Sequence, residues 1–367
     1  MRLPRMQHSS QTSSPIPTGF WSDLKRPIVG LAPMDGVTDA ACRAITARIG
    51  HPAITFTEFT AVEGLRAGAD RLLDDFAYHP DERPVVAQLF GSDPEAFIEG
   101  AAIAAALGFD GVDINMGCPA KNVTERGAGA ALIRDPERAK QIVLAAREGI
   151  DRWASGETLQ MLGVHSRLIP LIQERIAHIE AIGGPPLERK HIPVSVKTRI
   201  GYDVVAVEDW VRQLLTVNPV AITLHGRTLK QLYTGEADWE AIGRAAVIIK
   251  EAGIIVLGNG DVQSLEDGFA KMRAAGTDGF LIGRKSTGNP WIFLERESTL
   301  EERRETALEH ARYLYALFGE RGFVRIRKHL LEYTREFPGA KLVRQQLSTI
   351  KTLSDVERVL AHPELLD

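Results

Sequence analysis

Short apolar segments alternate with amphipathic, helix-like segments along most of this chain. Eight segments are rich in β-branched and other apolar side chains, and most are followed by a glycine-bearing or polar loop and then by a helical pattern. They span residues 27–31, 53–59, 85–90, 111–115, 194–199, 221–225, 254–257 and 279–282. Strands that are buried on both faces read as continuous apolar runs. Eight such strand–helix units predict an α/β fold, a closed parallel (β/α)8 TIM barrel.

The helices between these strands carry recognisable start signals. Asp93 and Asp135 are each followed by a proline and a glutamate, which is the pattern of an N-cap residue before the first helical turn. After Trp291 the periodicity becomes purely helical, and no strand pattern follows. One apolar stripe in this part of the chain consists of Ala307, Ala311, Leu314 and Leu317. We therefore expect a C-terminal helical domain after the barrel.

These patterns divide the chain into three parts. The barrel is expected over residues 21–295 and the helical domain over residues 296–367. Residues 1–20 are Ser-rich and free of Asp and Glu, which predicts a disordered leader, with an organelle transit peptide as the alternative.

One connection inside the barrel is longer than a loop requires, by about forty residues. It lies before the strand at 194–199 and gives an insert at about residues 150–190. Apolar side chains recur in it at helical spacing, at Leu168, Ile172, Ile176 and Ile179. Because the insert follows a helix and precedes a strand, we expect it at the N-terminal face of the barrel, as a packing or self-association element.

Charge is unevenly distributed along the chain. The net charge is −4, but residues 321–351 hold eight Lys or Arg against two Glu, a local balance of +6. A basic segment on an acidic protein is the electrostatic footprint of a polyanion-binding surface. The alternative interpretation is the solvated face of a helix.

The cysteine content restricts the class of protein. Cys42 and Cys118 are the only two cysteines and are far apart, which argues against a disulfide framework and excludes an all-cysteine iron–sulfur site. No apolar run approaches the length of a membrane span, and the N-terminal segment lacks the apolar core of a secretory signal. We expect a cytoplasmic protein with no membrane contact and no bound metal.

Cys118 lies in the most informative stretch of the chain. The predicted strand at 111–115 ends at Asn115, and Met116-Gly117-Cys118-Pro119 turns sharply after it. In a parallel barrel the carboxyl ends of the strands form the face where substrates bind. The pattern therefore predicts that Asn115 and Cys118 belong to a site; the alternative is an inert, half-buried thiol in a tight turn.

Further candidates lie at the ends of other predicted strands. Glycine turns follow the last two strands, at Gly258-Asn259-Gly260-Asp261 and Gly283-Arg284, where barrels often bind phosphate. Lys197 lies among apolar neighbours and would be costly to bury unless it faced the barrel mouth. Gln88 and His225 also end strands, although each could be an ordinary rim residue.

Several of these segments together resemble the flavin-dependent tRNA-dihydrouridine synthases. The matching segments occur in order over about 260 residues, and each lies at or near a predicted strand end. They are LAPMDGVTD at 31–39, AQLFG at 87–91, NMGCP at 115–119, VKTR at 196–199, HGRT at 225–228, NGD at 259–261 and IGR at 282–284. In the tail, RKHL at 327–330 and PGA at 338–340 resemble the family's tRNA-binding helical domain. The insert is longer than expected for the family.

The resemblance implies three groups of site residues. The group that lines the ring of a bound FMN is Pro33, Met34, Asp35, Gln88 and Lys197. The group at its ribityl phosphate end is His225, Asn259, Gly260, Asp261, Gly283 and Arg284. The group toward the RNA is Asn115 on the target uracil, Arg199 and Arg227 nearby, and Arg325, Arg327 and Lys328 in the helical domain.

The implied reaction is reduction of a uridine in tRNA to 5,6-dihydrouridine. Hydride from reduced FMN would reach C6, Cys118 would protonate C5, and NADPH or NADH would reduce the flavin. Two other functions are kept as alternatives: a dihydroorotate-type dehydrogenase that acts on a free pyrimidine, and a non-catalytic RNA-binding barrel. We expect a monomer, and the chain does not reveal which uridine is modified.

Overall fold

A computed structural model describes residues 18–232, 234–335 and 339–361. The predicted leader therefore lies outside the described residues up to residue 17. Gly19 and Phe20, which were also assigned to it, belong to the 3-10 helix Gly19–Ser22. Trp21 in this helix is buried against Ile28 and Phe56 at the base of the barrel. Phe20, which the prediction placed in the leader, packs against the same core, whereas Trp21 lies within the predicted barrel.

The described residues form a parallel α/β barrel, as predicted. Its strands are β1 Ile28–Leu31, β2 Thr55–Phe56, β3 Thr60–Ala61, β4 Val85–Phe90, β5 Gly111–Met116, β6 Val194–Arg199, β7 Ala221–His225, β8 Ile255–Asn259 and β9 Gly279–Ile282. They pair in the order β1-β9-β8-β7-β6-β5-β4-β2, with β3 also on β4. Backbone bonds from Leu31 to Ile54 (3.0 Å) and from Ala53 to Val29 (2.8 Å) close the ring.

The second strand of the barrel differs from the prediction of one strand over residues 53–59. It is divided into β2 and β3, which pair with successive parts of β4. Between them the backbone N–H of Gln88 donates to Thr57 Oγ1 at 2.9 Å instead of to a backbone carbonyl. A side chain thus replaces one rung of the ladder, which apolar content alone does not indicate.

Helices surround the barrel and continue beyond it. They are α1 Ala40–Gly50, α2 Val62–Arg66, α3 Pro94–Ala106, α4 Lys121–Thr124, α5 Pro136–Ala154, α6 Leu168–Ala181, α7 Val207–Leu215, α8 Trp239–Glu251, α9 Leu265–Ala275, α10 Leu300–Phe323, α11 Ile326–Tyr333, α12 Ala340–Leu347 and α13 Leu353–Ala361. The predicted caps are present, since Asp93 accepts from the N–H of Glu95 and Asp135 from that of Arg138, both at 3.1 Å. Among the described residues, none of the helices combines the length and apolar content needed to cross a membrane.

The insert before β6 contains α6 and packs on its own chain. Leu168, Ile172 and Ile179 are buried in the main core of the molecule. Ion pairs from Arg167 to Asp70 (2.7 Å) and from Arg175 to Asp74 (2.9 Å) hold it against the 3-10 helix Asp70–Phe76. The structure therefore gives it a packing role, while self-association stays a prediction.

The four C-terminal helices α10–α13 share a core with the barrel. Ala307, Ala311 and Leu314 of the predicted stripe are buried together with Ala41 of α1 and Trp291. Because this core includes barrel side chains, the helical part is docked on the outside of α1 rather than joined by a loop alone.

Candidate active site

The loop that carries Cys118 is held by hydrogen bonds from three directions. The Asn115 carboxamide oxygen accepts from the backbone N–H groups of Gly117 (3.0 Å) and Cys118 (2.8 Å). Arg199 Nε donates to the carbonyl of Gly117 at 2.6 Å, and the N–H of Ala130 donates to the carbonyl of Cys118 at 3.1 Å. The half-buried Cys118 thiol is therefore fixed at the carboxyl end of β5.

Asn115 is in turn fixed by a network inside the barrel. Its side-chain N–H donates to Gln88 Oε1 at 3.0 Å, and Gln88 Nε2 donates to Asp113 Oδ2 at 2.7 Å. Ser195 Oγ donates to the other Asp113 oxygen at 2.7 Å. Both ends of the buried Gln88 amide are thus used within the protein, and its predicted contact with FMN stays a prediction.

The sequence analysis did not select Asp113, although a signal was present. A carboxylate between Val112 and Ile114, in a strand that is buried throughout, needs a partner in the interior. Burial raises the pKa of Asp113 to about 6, while Ser195, Gln88 and Lys197 oppose that rise. Asp113 is a positioning residue because it holds Gln88, through which it orients Asn115.

Lys197 lies beside this network, since it is paired in register with Asn115 on the neighbouring strand. Its side chain is half-buried, and no described residue accepts a hydrogen bond from its ammonium. Burial lowers the pKa of Lys197 to about 8, helped by repulsion from Arg199 and opposed by Asp113. The ammonium is therefore charged at neutral pH and is available to a ligand.

The electrostatic surroundings keep Cys118 protonated. Burial raises the pKa of the thiol, and the carboxylate of Asp35 adds to this, against the opposing charges of Arg199 and Lys197. A thiol that keeps its proton at neutral pH can act as an acid and is a weak nucleophile.

The loops after β8 and β9 form a cradle beside His225. Gly260 has a φ of +124°, and a Cβ there would lie 2.7 Å from Ala237 Cβ. Burial and the surrounding cations lower the pKa of His225 well below its usual value, and its buried Nδ1 has no hydrogen-bond partner among the described residues. Ala237 and the positive φ therefore require glycine at position 260, and the unpartnered Nδ1 of His225 is the polar atom left for a ligand.

Two predicted ligand residues in this cradle also make hydrogen bonds within the protein, and their contacts with FMN stay predictions. Asn259 Nδ2 donates to the carbonyl of Leu281 at 3.0 Å. The Asp261 carboxylate accepts from Arg227 at 2.6 and 3.0 Å and from Arg284 Nη2 at 2.9 Å. The Asp261 carboxylate therefore orients Arg284.

Arg227 and Arg199 are less accessible than the prediction of RNA contacts requires. Arg227 is 3% exposed and also donates to the carbonyl of Gly235. Arg199 is 5% exposed and donates to the carbonyl of Thr228 as well as to Gly117. Both positions favour a role in shaping the strand ends, and their contacts with RNA stay predictions.

The loop after β1 lies across the same opening. Thr38 closes this loop on itself, because the backbone N–H of Met34 donates to Thr38 Oγ1 at 2.9 Å. A Cβ at Gly283 would lie 3.5 Å from the Met34 sulfur, so the ends of β1 and β9 adjoin. Pro33 and Met34 are half-buried and Asp35 is exposed, so these predicted ring contacts lie at the rim of the barrel mouth.

The three predicted RNA-binding residues are placed differently from one another. Arg325 is exposed, with its guanidinium 5.5 Å from the centre of the Phe318 ring. Lys328 reaches toward the barrel, and its Nζ is 3.7 Å from where a Cβ of Gly36 would lie. Arg327 instead donates through Nε and Nη2 to the carbonyl of Ile350. Arg325 is therefore exposed and Lys328 partly exposed, and the RNA contacts of all three residues stay predictions.

Fold and site define a (β/α)8-barrel protein with a thiol, an ammonium and a glycine cradle at the carboxyl ends of its strands. The family model described as Dihydrouridine synthase (Dus) matches residues 30–155 and 187–365, so the chain belongs to the dihydrouridine synthase family. Residues 156–186, which include α6, fall outside the match.

Two curated relatives match nearly the whole chain. "Probable tRNA-dihydrouridine synthase 1" from Synechocystis sp. is 31% identical over 90% of this chain and 84% of its own length. "Probable tRNA-dihydrouridine synthase" from Staphylococcus epidermidis is 30% identical over 93% of this chain and 95% of its own length. The solved structure of histamine dehydrogenase from Rhizobium sp. 4-9 aligns with a TM-score of 0.44 at 15% identity, over 77% of this chain and 48% of that one, which is too distant for an argument about function.

Proposed function

We propose that this protein is an FMN-dependent tRNA-dihydrouridine synthase that reduces specific uridines in tRNA to 5,6-dihydrouridine. The observation that carries the proposal is the Cys118 thiol, which is fixed at the barrel mouth by Asn115 and kept protonated by burial. Membership of the dihydrouridine synthase family and the printed names of the two relatives agree with it.

The residues present fit an FMN. The unpartnered Nδ1 of His225, the tight turn at Gly260 and the guanidinium of Arg284 suit the phosphate end. Lys197 suits the electron-accepting edge of the ring, and the loop of Pro33 and Met34 suits its flank. When bound, FMN supplies the hydride that C6 of the uracil ring receives, after reduction by NADPH or NADH.

Protonation of C5 is the task of Cys118. Because its pKa is raised, the thiol carries its proton until the reaction develops negative charge on the carbon. General acid catalysis of this kind contributes on the order of 10² to 10⁴ in rate. Asn115 would serve this step by holding the loop, since its side chain already makes three hydrogen bonds within the protein.

Binding of tRNA is assigned to the face that carries Arg325 and Lys328. A target base has to be drawn out of the folded RNA, at a cost of a few kcal/mol. Contacts between these cations and phosphates would offset that cost. Lys328 lies beside the loop after β1, so the RNA would pass over the barrel mouth.

The test is to incubate the protein and NADPH with tRNA that lacks dihydrouridine and to map any two-dalton gain by nuclease digestion and mass spectrometry. The wild-type protein is expected to add two daltons at a defined uridine. Cys118→Ala should keep its flavin absorbance, and its rate of tRNA reduction should fall about 10²- to 10⁴-fold. Cys42→Ala, which changes the other cysteine, should leave the rate unchanged.

Other outcomes would favour the alternatives. Reduction of a free pyrimidine without any gain in tRNA would indicate a dehydrogenase. Absence of bound flavin, with tRNA still bound, would indicate a binding protein. A wild-type rate in Cys118→Ala would contradict the assigned proton donor.

A further inference from the structure

A cluster of possible metal ligands lies between the barrel and the helical domain and shares no residue with the hydrogen-bond network around Cys118. It consists of Asp39 at the N-terminus of α1, His310 in α10 and His329 in α11. One ligand atom from each residue lies within 4.8 Å of the other two. The side chains of Asp39, His310 and His329 are 3%, 0% and 1% exposed.

The two oxygens of Asp39 face different histidines. Oδ2 lies 3.3 Å from His329 Nε2, and Oδ1 lies 4.0 Å from His310 Nε2. The shorter separation is close to a long hydrogen bond, but the longer one is not a hydrogen bond. His310 Nε2 is accordingly a buried polar atom with no hydrogen-bond partner among the described residues. A buried polar atom of this kind requires an explanation, and an ion between the three groups would supply it.

We propose that Asp39, His310 and His329 bind one Zn²⁺ ion, through the Nε2 atoms of the two histidines and the carboxylate of Asp39. Imidazole nitrogen and carboxylate oxygen are ligands that zinc binds at about 2.0–2.2 Å. Two donors at that range from one ion lie about 3–4 Å apart, which agrees with the 3.3 and 4.0 Å separations. The second Asp39 oxygen can complete four-coordination.

The surroundings already orient these ligands. His310 Nδ1 lies 3.2 Å from the Tyr333 hydroxyl, and the backbone N–H of Cys42 donates to Asp39 Oδ1 at 2.9 Å. Outer contacts of this type fix the ring orientation of metal-binding histidines and the direction of carboxylates. The neighbouring cation Arg43 is compensated by Glu82 at 2.8 Å, whereas Lys328 adds positive charge that the ion has to tolerate.

The ion would connect two parts of the molecule. Asp39 belongs to the barrel, whereas both histidines belong to the helical domain, 290 residues further along in the case of His329. His329 directly follows Lys328, so the same ion would fix the position of that cation over the loop after β1. Because Asp39 lies so far from the two histidines in sequence, the sequence pattern alone does not reveal this cluster.

The experiment measures zinc in the purified full-length protein by plasma mass spectrometry, and the melting temperature of chelator-treated protein with and without added Zn²⁺. We expect one zinc per chain and a melting temperature that rises on addition of Zn²⁺. Asp39→Asn keeps an N-cap side chain for α1 but loses the anionic ligand, so its zinc affinity should fall at least about 100-fold. His191→Gln is the matched control, because His191 pairs with Asp151 at an exposed site.

Two results would overturn the proposal. The first is that the wild-type protein contains no stoichiometric zinc and its melting temperature does not change on addition of Zn²⁺. The second is equal zinc content in the wild type and Asp39→Asn. If Asp39→Asn does not fold, the visible spectrum of Co²⁺-loaded wild type replaces it: the intense bands of four-coordinate cobalt support the site, and their absence rejects it.

Discussion

Asp113 is buried and Lys197 half-buried beside it, and each charge affects the pKa of the other. Burial lowers the pKa of Lys197 to about 8 and raises that of Asp113 to about 6. Between these values the lysine is an ammonium and the aspartate a carboxylate, which is the state that orients Gln88 and leaves a cation at the barrel mouth. Outside this window one of the two charges is lost.

This pair predicts a bell-shaped dependence of kcat/KM on pH. The rate should fall above about pH 8 as Lys197 loses its proton, and below about pH 6 as Asp113 gains one. In Asp113→Asn the acidic limb of the profile should disappear. At neutral pH its kcat/KM should fall roughly ten- to hundred-fold, which is the cost of a charge-assisted hydrogen bond.

Ser195→Ala is the matched control for that experiment. It removes the hydrogen bond that lowers the pKa of Asp113 but keeps the carboxylate. The acidic limb should therefore move to higher pH rather than disappear. An unchanged profile in both variants would exclude Asp113 as the group that titrates.

At the scale of an element, α1 is anchored by a buried ion pair that the sequence pattern does not reveal. Arg43 is fully buried and donates to Glu82 (2.8 Å), to the carbonyl of Thr38 (2.8 Å) and to that of Ala77 (2.6 Å). It therefore ties α1 to the loop after β1 and to the segment before β4.

Loss of this anchor should be costly. Arg43→Ala leaves the buried Glu82 carboxylate without its cation, and we expect a loss of about 3–5 kcal/mol in the free energy of unfolding, measured in urea. Arg48→Ala on the same helix is the control, since its partly exposed ion pairs with Asp81 and Glu309 should be worth about 0–1 kcal/mol each. Equal losses in the two variants would contradict the role given to Arg43.

The elements also show which features a sequence can predict. The strands and the Cys118 loop were predictable because their signals are local: an apolar run, or a turn within a few residues. The contacts of Gln88 with Asp113 and of Arg227 with Asp261 join residues 25 and 34 positions apart. They depend on the register of neighbouring strands, so the sequence pattern alone does not reveal them, and the predicted ligand contacts of Gln88, Asp261 and Arg227 stay predictions.

At the scale of the whole molecule, the helical domain presents two kinds of arginine and lysine. Arg325 and Lys328 are oriented outward or toward the barrel mouth, whereas Arg327 is bound to the carbonyl of Ile350. The basic balance of residues 321–351 is therefore partly a structural feature of the domain, and its proposed role in RNA binding concerns Arg325 and Lys328.

This difference predicts separate effects on RNA binding and stability. Arg325→Gln with Lys328→Gln should weaken tRNA binding and lower the slope of log affinity against log salt by about 0.7–0.9 for each lost phosphate contact. Flavin content and the melting temperature should not change. Arg327→Gln should instead lower the melting temperature, with little change in that slope. A lower salt slope in Arg327→Gln, together with an unchanged slope in the Arg325→Gln and Lys328→Gln double variant, would contradict the assignment of RNA binding to Arg325 and Lys328.

The raised pKa of Cys118 has a consequence for the lifetime of the protein in an oxidising cell. Peroxide and alkylating agents attack the thiolate, and burial keeps the thiolate fraction of Cys118 below that of an ordinary cysteine. The burial that keeps the Cys118 thiol protonated therefore also makes it a poor target for oxidation.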